Sequence, residues 1–269
     1  MTGAHNPVIG GYSDLASAYD APGNLRSCWG LSTEKIIDSI QLSASCRSVA
    51  DIGCGTGHAL RALAERSPVD VGFTGVEPAA QMRARAADRI GHLPNVTVLD
   101  GSFENIPLES GSVDHLYSIY AFHWTTDPEQ SAQEIKRVLA DDGELDLIFV
   151  GPENGVEFNK VTTPIVRRYM GRAYMMAAGR MQRQISREGA RQLFEPKFGE
   201  RLTIDETLET YYDTLDGHWA WRVRIEGHFS AIPADKRPAF DADVRAALET
   251  LTTDRGIPYT LHQIRVSVR

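Results

Sequence analysis

The sequence predicts an α/β fold in which strands and helices alternate around a mostly parallel sheet. Two observations lead to this prediction. Residues 49–57 run from a strand-like apolar stretch into glycines at positions 53, 55 and 57. From there to residue 150, apolar runs of strand length alternate with segments of helical periodicity. Because parallel strands need long crossover connections, usually helices, this order is typical of β-α-β packing.

The individual elements follow from periodicity and from the turn residues between them. Strands are predicted where short apolar runs stand between turn residues, at 71–76, 96–99, 113–119, 145–150, 201–208 and 259–268, after a first strand that ends at the glycines. Helices are predicted where apolar residues recur every three or four positions, at 12–20, 32–40, 59–66, 79–90, 128–139, 156–194, 216–229 and 233–251.

The length of 269 residues suits one α/β domain with insertions better than two full domains. We therefore predict a single domain over residues 1–269. Its parts are an N-terminal helical lid (1–45), a core (46–150), a helical cap inserted before the sixth strand (151–198), and a C-terminal part (199–269) that completes the sheet.

Composition narrows the classes of partner. The net charge of −8 disfavours binding to nucleic acid or to an anionic membrane and favours a small-molecule partner. Three cysteines without a Cys-x-x-Cys pair argue against a disulfide framework or a zinc site, and the scattered histidines against any metal site. We therefore predict metal-independent chemistry. The N-terminus resembles no signal peptide and no apolar run is long enough for a membrane span, so we also predict a cytoplasmic location.

The glycine turn and two acidic residues define a candidate ligand site. The Gly-x-Gly-x-Gly spacing differs from that of dinucleotide-binding proteins, and no Lys-Ser or Lys-Thr follows, so the predicted ligand lacks a pyrophosphate. Asp51, just before Gly53, can orient the turn or reach an ammonium group; a purely turn-stabilising role stays open. Glu77 ends the second strand, where an acid receives ribose hydroxyls in nucleotide-binding units. Met82 can contact an adenine ring or pack in the core.

Further motifs occur at matching positions along residues 12–150. They are Tyr19-Asp20, Asp51-Ile-Gly-Cys-Gly-Thr-Gly57, Gly75-Val-Glu-Pro78 with Met82, Gly101-Ser-Phe-Glu-Asn-Ile-Pro107, Ser112-Val-Asp114, Ala121-Phe-His-Trp124 and Glu134-Ile-Lys-Arg-Val-Leu139. This set resembles the class I methyltransferases, especially the branch that includes ubiquinone and menaquinone biosynthesis enzymes and many small-metabolite methyltransferases.

The resemblance implies a Rossmann-like, seven-stranded, mostly parallel sheet and S-adenosyl-L-methionine as cofactor. It places Ser102 and Phe103 at the adenine, the first through its side chain and the second through its backbone N–H. Ser102 departs from the family's usual aspartate, so that contact would lack charge assistance. The cofactor-binding residues predicted in this way are Tyr19, Asp51, Gly53, Cys54, Gly55, Gly57, Glu77, Pro78, Met82, Ser102, Phe103, Ile119 and Tyr120.

The exit of the fourth strand indicates the kind of acceptor. Residues 118–124 contain no Asn-Pro-Pro-Tyr or Asp-Pro-Pro-Tyr tetrad, which disfavours amide or nucleobase nitrogens and favours a small molecule. His123 is the candidate catalytic base, since imidazole titrates near neutrality; a hydrogen-bonded wall residue is the alternative. Tyr12 and Trp124 are predicted to contact the acceptor. Trp124, Tyr19 and Tyr120 could wall the pocket, hold the sulfonium by cation–π attraction, or simply pack in the core.

The predicted cap is basic. Residues 157–191 contain eight basic and two acidic side chains. Arginine forks suit carboxylates and phosphates, so Arg167, Arg168 and Arg172 are predicted to bind an anionic acceptor such as a carboxylic acid, a phosphorylated metabolite or a prenyl diphosphate. A solvated helix face that pairs with the acidic core is the alternative. Trp219 and Trp221, two positions apart on a later helix, are predicted as core residues.

The resulting prediction is S-adenosylmethionine-dependent methyl transfer to a small metabolite in specialised or cofactor metabolism. One alternative keeps the fold and cofactor site for another reaction, such as a cyclisation, or for binding alone. A nicotinamide dehydrogenase is disfavoured by the glycine spacing, and a macromolecule methyltransferase by the acidic charge. The oligomeric state is not predicted.

Overall fold

The computed structural model describes residues 7–181, 184–225 and 232–269. Its strands are β1 (Ser48–Ile52), β2 (Gly72–Val76), β3 (Val96–Leu99), β4 (Val113–Ile119), β5 (Leu139–Val150), β6 (Leu202–Asp213) and β7 (Ile257–Val268). Its helices are α1 (Pro7–Tyr19), α2 (Pro22–Leu25), α3 (Cys28–Ser39), α4 (His58–Glu65), α5 (Ala80–Ile90), α6 (Pro128–Val138), α7 (Val156–Met181), α8 (Arg187–Phe198), α9 (Leu215–Ile225) and α10 (Arg237–Glu249).

The strands form one sheet in the order β3-β2-β1-β4-β5-β7-β6. Neighbours from β3 to β5 are parallel, whereas β7 runs antiparallel to both β5 and β6. The predicted seven-stranded, mostly parallel sheet is thus confirmed. The strand order reverses between β1 and β4, which creates a crevice at their carboxyl ends, where open α/β sheets bind ligands.

Element bounds differ from the prediction mainly after residue 138. β5 begins at Leu139 rather than at 145, and β6 continues to Asp213 rather than to 208. β6 pairs along its whole length with β7, although most of its side chains are exposed or half-buried. A strand held by backbone pairing rather than by burial lacks the apolar run by which sequence reasoning finds strands.

The predicted, mostly helical stretch at 156–194 consists of two helices, α7 and α8. α8 has its own N-cap, since the Ser186 hydroxyl accepts a hydrogen bond from the Gly189 N–H. Within α7, Gly171 has a left-handed φ of 77° that interrupts the helix. α7 packs against α10 and β7, whereas α8 packs beside α6 on the sheet.

Buried apolar side chains fill both faces of the sheet. Phe122, Phe149 and Phe194 lie in the cluster under α6 and α8, and Leu60 and Leu63 lie in the cluster under α3 and α4. A third cluster joins α7, α9 and α10 to the end of β7 and includes Phe158, Trp221, Phe240 and Tyr259. We call the three helices of this third cluster, α7, α9 and α10, the cap helices. Among the described residues, none of the helices has the length and hydropathy of a membrane span.

Candidate functional site

A cavity of about 380 Å³ opens at the carboxyl ends of β1 and β4. This volume lies in the range of small-molecule sites. One side of the cavity is formed by the glycine turn, including Asp51, Gly53 and Gly55. The opposite side is formed by the cap helices, including Thr162 and Trp221. The glycine turn and the cap helices therefore line one shared cavity, at the crevice that the strand order creates.

The glycine turn needs residues without side chains at two positions, for different reasons. Gly53 and Gly55 have left-handed φ values of 76° and 56°, which disfavour residues with a Cβ. A Cβ at Gly53 would lie 2.4 Å from the Cβ of Ala121, so the turn approaches the segment after β4 very closely. A Cβ at Gly55 would meet nothing within 4 Å, because this residue faces the cavity.

Two buried acids stand beside the turn. Burial raises the pKa of Asp51, at the end of β1, to about 8. Glu77 accepts hydrogen bonds from the Gly55 N–H at 2.9 Å and the Ala79 N–H at 2.8 Å. Burial raises the pKa of Glu77, and these two amides oppose the rise. Each carboxylate oxygen has two lone pairs, so both oxygens of Glu77 retain capacity for one more donor.

Helix α1 lies against the cofactor side of the site. Ala16 packs on Ala79 and Met82. At the end of this helix, the Asp20 carboxylate accepts a hydrogen bond from the Thr56 hydroxyl at 2.8 Å and pairs with Arg89 at 2.6 Å. The N-terminal segment is thus attached to both the glycine turn and α5.

The predicted cofactor residues fall into two groups. Those that line the cavity are Tyr19, Asp51, Gly53, Cys54, Gly55, Ile119 and Tyr120. Those that lie beside it without lining it are Gly57, Glu77, Pro78, Met82, Ser102 and Phe103. Met82 is buried under α1, and Phe103 packs edge-on against Phe122 at 5.2 Å. The predicted adenine region is therefore covered by α1 and core contacts in this conformation.

A 3-10 turn over Phe122–Trp124 supplies another wall. His123 lines the cavity with an exposed fraction of 4%, and burial lowers its pKa to about 3, so its imidazole is neutral at pH 7. Its Nδ1 has no hydrogen-bond partner among the described residues. Tyr12 and Trp124 also line the cavity and contact each other at a centroid distance of 6.0 Å. Burial raises the pKa of Tyr12 and Tyr120, which keeps both phenols protonated.

The structure places two of the predicted acceptor-binding arginines, Arg167 and Arg168, outside the lining of the cavity. Arg168 pairs with Asp243 of α10, and its side chain is 62% exposed. Tyr169 donates a hydrogen bond to the same carboxylate at 2.6 Å. Arg167 is exposed and does not line the cavity, and the Arg172 side chain lies outside the described residues. For Arg168 these contacts favour the alternative, a solvated helix face, because its guanidinium is engaged in a surface ion pair between two helices.

A further part of the cavity lining comes from the cap helices α7 and α9, from α3, from the segment before α7 and from β7, and its residues were not singled out by sequence reasoning or were assigned to the core. They are Trp29, Asn154, Asn159, Thr162, Thr163, Val166, Trp221, Arg222 and Tyr259. Arg222 is 3% exposed; its guanidinium lies 5.2 Å from the Phe158 ring centroid and donates to the Thr162 hydroxyl at 3.4 Å. One signal was available, since Asn159, Thr162, Thr163 and Val166 recur at the spacing of one helix face.

Comparison with known proteins gives a match to one family model and to several relatives, each over part of the chain. Residues 50–147 match the family model described as a methyltransferase domain. An uncharacterized methyltransferase of Mycobacterium tuberculosis is 39% identical over 110 residues, which are 40% of this chain and 42% of that protein. The malonyl-[acyl-carrier protein] O-methyltransferase of Geobacter sulfurreducens is 36% identical over 95 residues, or 35% of each chain. These matches span well under half of either relative's length.

A solved structure with the same fold is the YcgJ protein of Bacillus subtilis. It superposes with a TM-score of 0.59 at 22% identity and covers 88% of this chain and 97% of that one. At this identity the likeness concerns the fold, whereas the family model matches residues 50–147, which contain the glycine turn.

Proposed function

From the premise that the chain is a class I methyltransferase whose cofactor is S-adenosyl-L-methionine, we propose that it transfers a methyl group to a small-molecule acceptor. The observation that supports this most is the single cavity that extends from the glycine turn to the cap helices. Methyl transfer requires cofactor and acceptor to lie in contact and in line, with water excluded. One shared cavity meets that requirement.

The residues beside the glycine turn fit the cofactor. Glu77 retains one lone pair on each carboxylate oxygen, a pattern that suits the two hydroxyls of a ribose. Gly55 leaves open space where any other residue would place a side chain. Asp51 offers a carboxyl group whose ionised form an ammonium group would stabilise. We assign the ribose to Glu77 and the amino acid end of the cofactor to the region of Asp51 and Gly55.

The cofactor brings an activated methyl on a sulfonium, so this chain mainly has to orient the acceptor and exclude water. His123 was the candidate base. Its buried, neutral imidazole favours the alternative role, a hydrogen-bonding wall, because a proton taken from an acceptor would create a charge without solvent. The wall role suits acceptors whose nucleophilic atom is already deprotonated when they enter the site, so that no base is needed.

We place the acceptor between the 3-10 turn and the cap helices. Trp29, Trp221 and Tyr259 give this region an aromatic wall, and Asn159 and Thr162 offer hydrogen bonds. Arg222 is the cation of this wall, in place of the exposed Arg168. An acceptor with an anionic or strongly polar group therefore stays the favoured class.

Calorimetric titration with S-adenosylmethionine and S-adenosylhomocysteine tests the cofactor part. The wild type should bind both, and Glu77→Gln should bind S-adenosylhomocysteine about 10- to 100-fold more weakly, because hydrogen bonds to a charged group contribute about 1.5–3 kcal/mol. Glu249→Gln, an exposed change on α10, is the matched control and should bind normally. Absence of binding by the wild type would refute the proposal.

Formation of S-adenosylhomocysteine with a panel of acceptors tests the reaction itself. Carboxylates, phosphorylated metabolites and neutral analogues of equal size should be compared, with Arg222→Met alongside the wild type. Turnover that depends on the acceptor supports methyl transfer, and an acceptor KM that rises in Arg222→Met at unchanged cofactor affinity supports the anionic class. Conversion of an acceptor without S-adenosylhomocysteine would instead indicate the alternative, a reaction such as cyclisation.

A further inference from the structure

Tyr120 has an unusual backbone conformation at the centre of the site. Its φ is 56°, and among the described residues it is the one non-glycine residue with a positive φ. A bulky residue in the left-handed region costs free energy and persists only where its surroundings hold it there. The residue still donates its N–H to the Ile148 carbonyl at 2.8 Å, so hydrogen bonding to β5 extends to Tyr120 despite its backbone conformation.

The side chain of Tyr120 is held from two directions. Its hydroxyl and the Ser32 hydroxyl are 2.6 Å apart, and Ser32 also accepts a hydrogen bond from the Gln263 amide at 2.9 Å. The Trp29 ring packs edge-on against the Tyr120 ring at 5.2 Å. Trp29 and Ser32 are three positions apart on α3 and so share one helix face. The N-terminal segment and β7 thus fix the same ring.

The residues after Tyr120 form walls on both sides of the cavity. The Cβ of Ala121 lies 2.4 Å from where a Cβ on Gly53 would be, so the segment after Tyr120 packs directly against the glycine turn. Two residues further, His123 and Trp124 line the cavity from the 3-10 turn. A change in the Tyr120 backbone would therefore move Ala121, which packs against the glycine turn, together with His123 and Trp124, which line the cavity.

We propose that Ser32 and Gln263 are positioning residues that act through Tyr120. The strained backbone of Tyr120 fixes the position of the 3-10 turn relative to the glycine turn. The proposal rests on the proposed function, because the site that they shape is the one assigned to cofactor and acceptor. Without the Ser32 hydroxyl, the phenol of Tyr120 and the amide of Gln263 lose their shared partner. The Trp29 ring and the backbone bond to Ile148 then hold Tyr120 without the hydroxyl contact, and its strained backbone is free to relax in part.

Titration with S-adenosylhomocysteine and thermal unfolding, both on the full chain, test this role. Ser32→Ala and Tyr120→Phe should each weaken binding about fivefold, the size expected from one hydrogen bond. Ser32→Thr keeps the hydroxyl and should restore binding. Ser48→Ala is the matched control, since the Ser48 hydroxyl also makes two hydrogen bonds, to the Ser112 carbonyl and from the Asp114 N–H, at the amino end of β1. It should lower the Tm by a similar amount and leave binding unchanged.

The outcomes separate this inference from the proposed function. A wild type that does not bind S-adenosylhomocysteine would overturn both. A wild type that binds, with Ser32→Ala binding equally well, would overturn the positioning role alone. Equal losses of affinity in Ser32→Ala and Ser48→Ala would overturn it too, because the loss would then reflect general stability.

Discussion

Gly53 and Gly55 lie in the same turn with the same backbone hand, yet added side chains would meet different surroundings. At Gly53 a Cβ would lie 2.4 Å from the Ala121 Cβ, far inside the roughly 3.5–4.0 Å of an ordinary carbon contact. At Gly55 a Cβ would meet nothing within 4 Å. Substitutions at Gly53 therefore test the packing of the turn within the protein, and substitutions at Gly55 test the space that the turn leaves for a ligand.

We expect Gly53→Ala to lower the free energy of unfolding by about 2–5 kcal/mol. About 1–2 kcal/mol comes from the left-handed backbone and about 1–3 kcal/mol from overpacking against Ala121. Gly55→Ala has only the first of these costs, about 1–2 kcal/mol. The measurement is urea unfolding followed by circular dichroism for both variants beside the wild type.

Binding should show the reverse order of sensitivity. The side chain of Gly55→Val projects into the cavity, so this variant should bind S-adenosylhomocysteine at least about tenfold more weakly, a loss of about 1.4 kcal/mol, while it stays more stable than Gly53→Ala. Equal stability of Gly53→Ala and Gly55→Ala would refute the close approach to Ala121. Unchanged binding by Gly55→Val would refute the placement of the cofactor beside the turn.

Two further predictions concern protons. Asp51 has a pKa of about 8 without ligand, and an ammonium group nearby would lower it, so cofactor binding at pH 7 should release protons, and affinity should rise with pH by up to about tenfold per unit below pH 8. Titrations in buffers of different ionisation enthalpy measure this release, and Asp51→Asn should abolish it. His123 has a folded pKa of about 3, below its unfolded value, so the unfolded state binds the proton first as the pH falls. The free energy of unfolding should therefore decrease by about 2 kcal/mol between pH 7 and pH 5 through this residue, and His123→Gln should lose that part of the decrease in urea unfolding at the two pH values.

For each of these two predictions, one outcome would contradict it. Identical binding enthalpies in all buffers would mean that Asp51 keeps its proton state and does not meet the ammonium group. An equal decrease of stability from pH 7 to pH 5 in wild type and His123→Gln would mean that the imidazole is hydrated and titrates normally in the folded protein.

The sheet and the glycine side of the site were predictable because their signals are local. The alternation of strand and helix patterns up to residue 150 predicts the parallel strands. The spacing from Asp51 to Glu77 predicts that Glu77 lies at the end of the second strand, beside the glycine turn. β6 was too short in the prediction because its last five residues, 209–213, have no apolar run and are held by pairing with β7, a partner about 50 residues away in sequence. Residues 182–183 and 226–231, with Arg183 and His228, lie outside the described residues.

The sequence prediction placed the acceptor at Arg168, whereas the cavity is lined by another face of the same helix, and periodicity alone could not show this. Spacing tells which residues of α7 share a face, but it does not tell which face another element covers. Asp243 of α10 draws Arg168 into an ion pair at the surface, while Thr162 and Val166 line the cavity. The charge of Arg168 suggested a ligand in the sequence, but in the fold it has a partner within the chain. Acceptor specificity should therefore be sought at Thr162 and its neighbour Arg222, whose contact joins α7 to α9 inside the cavity wall.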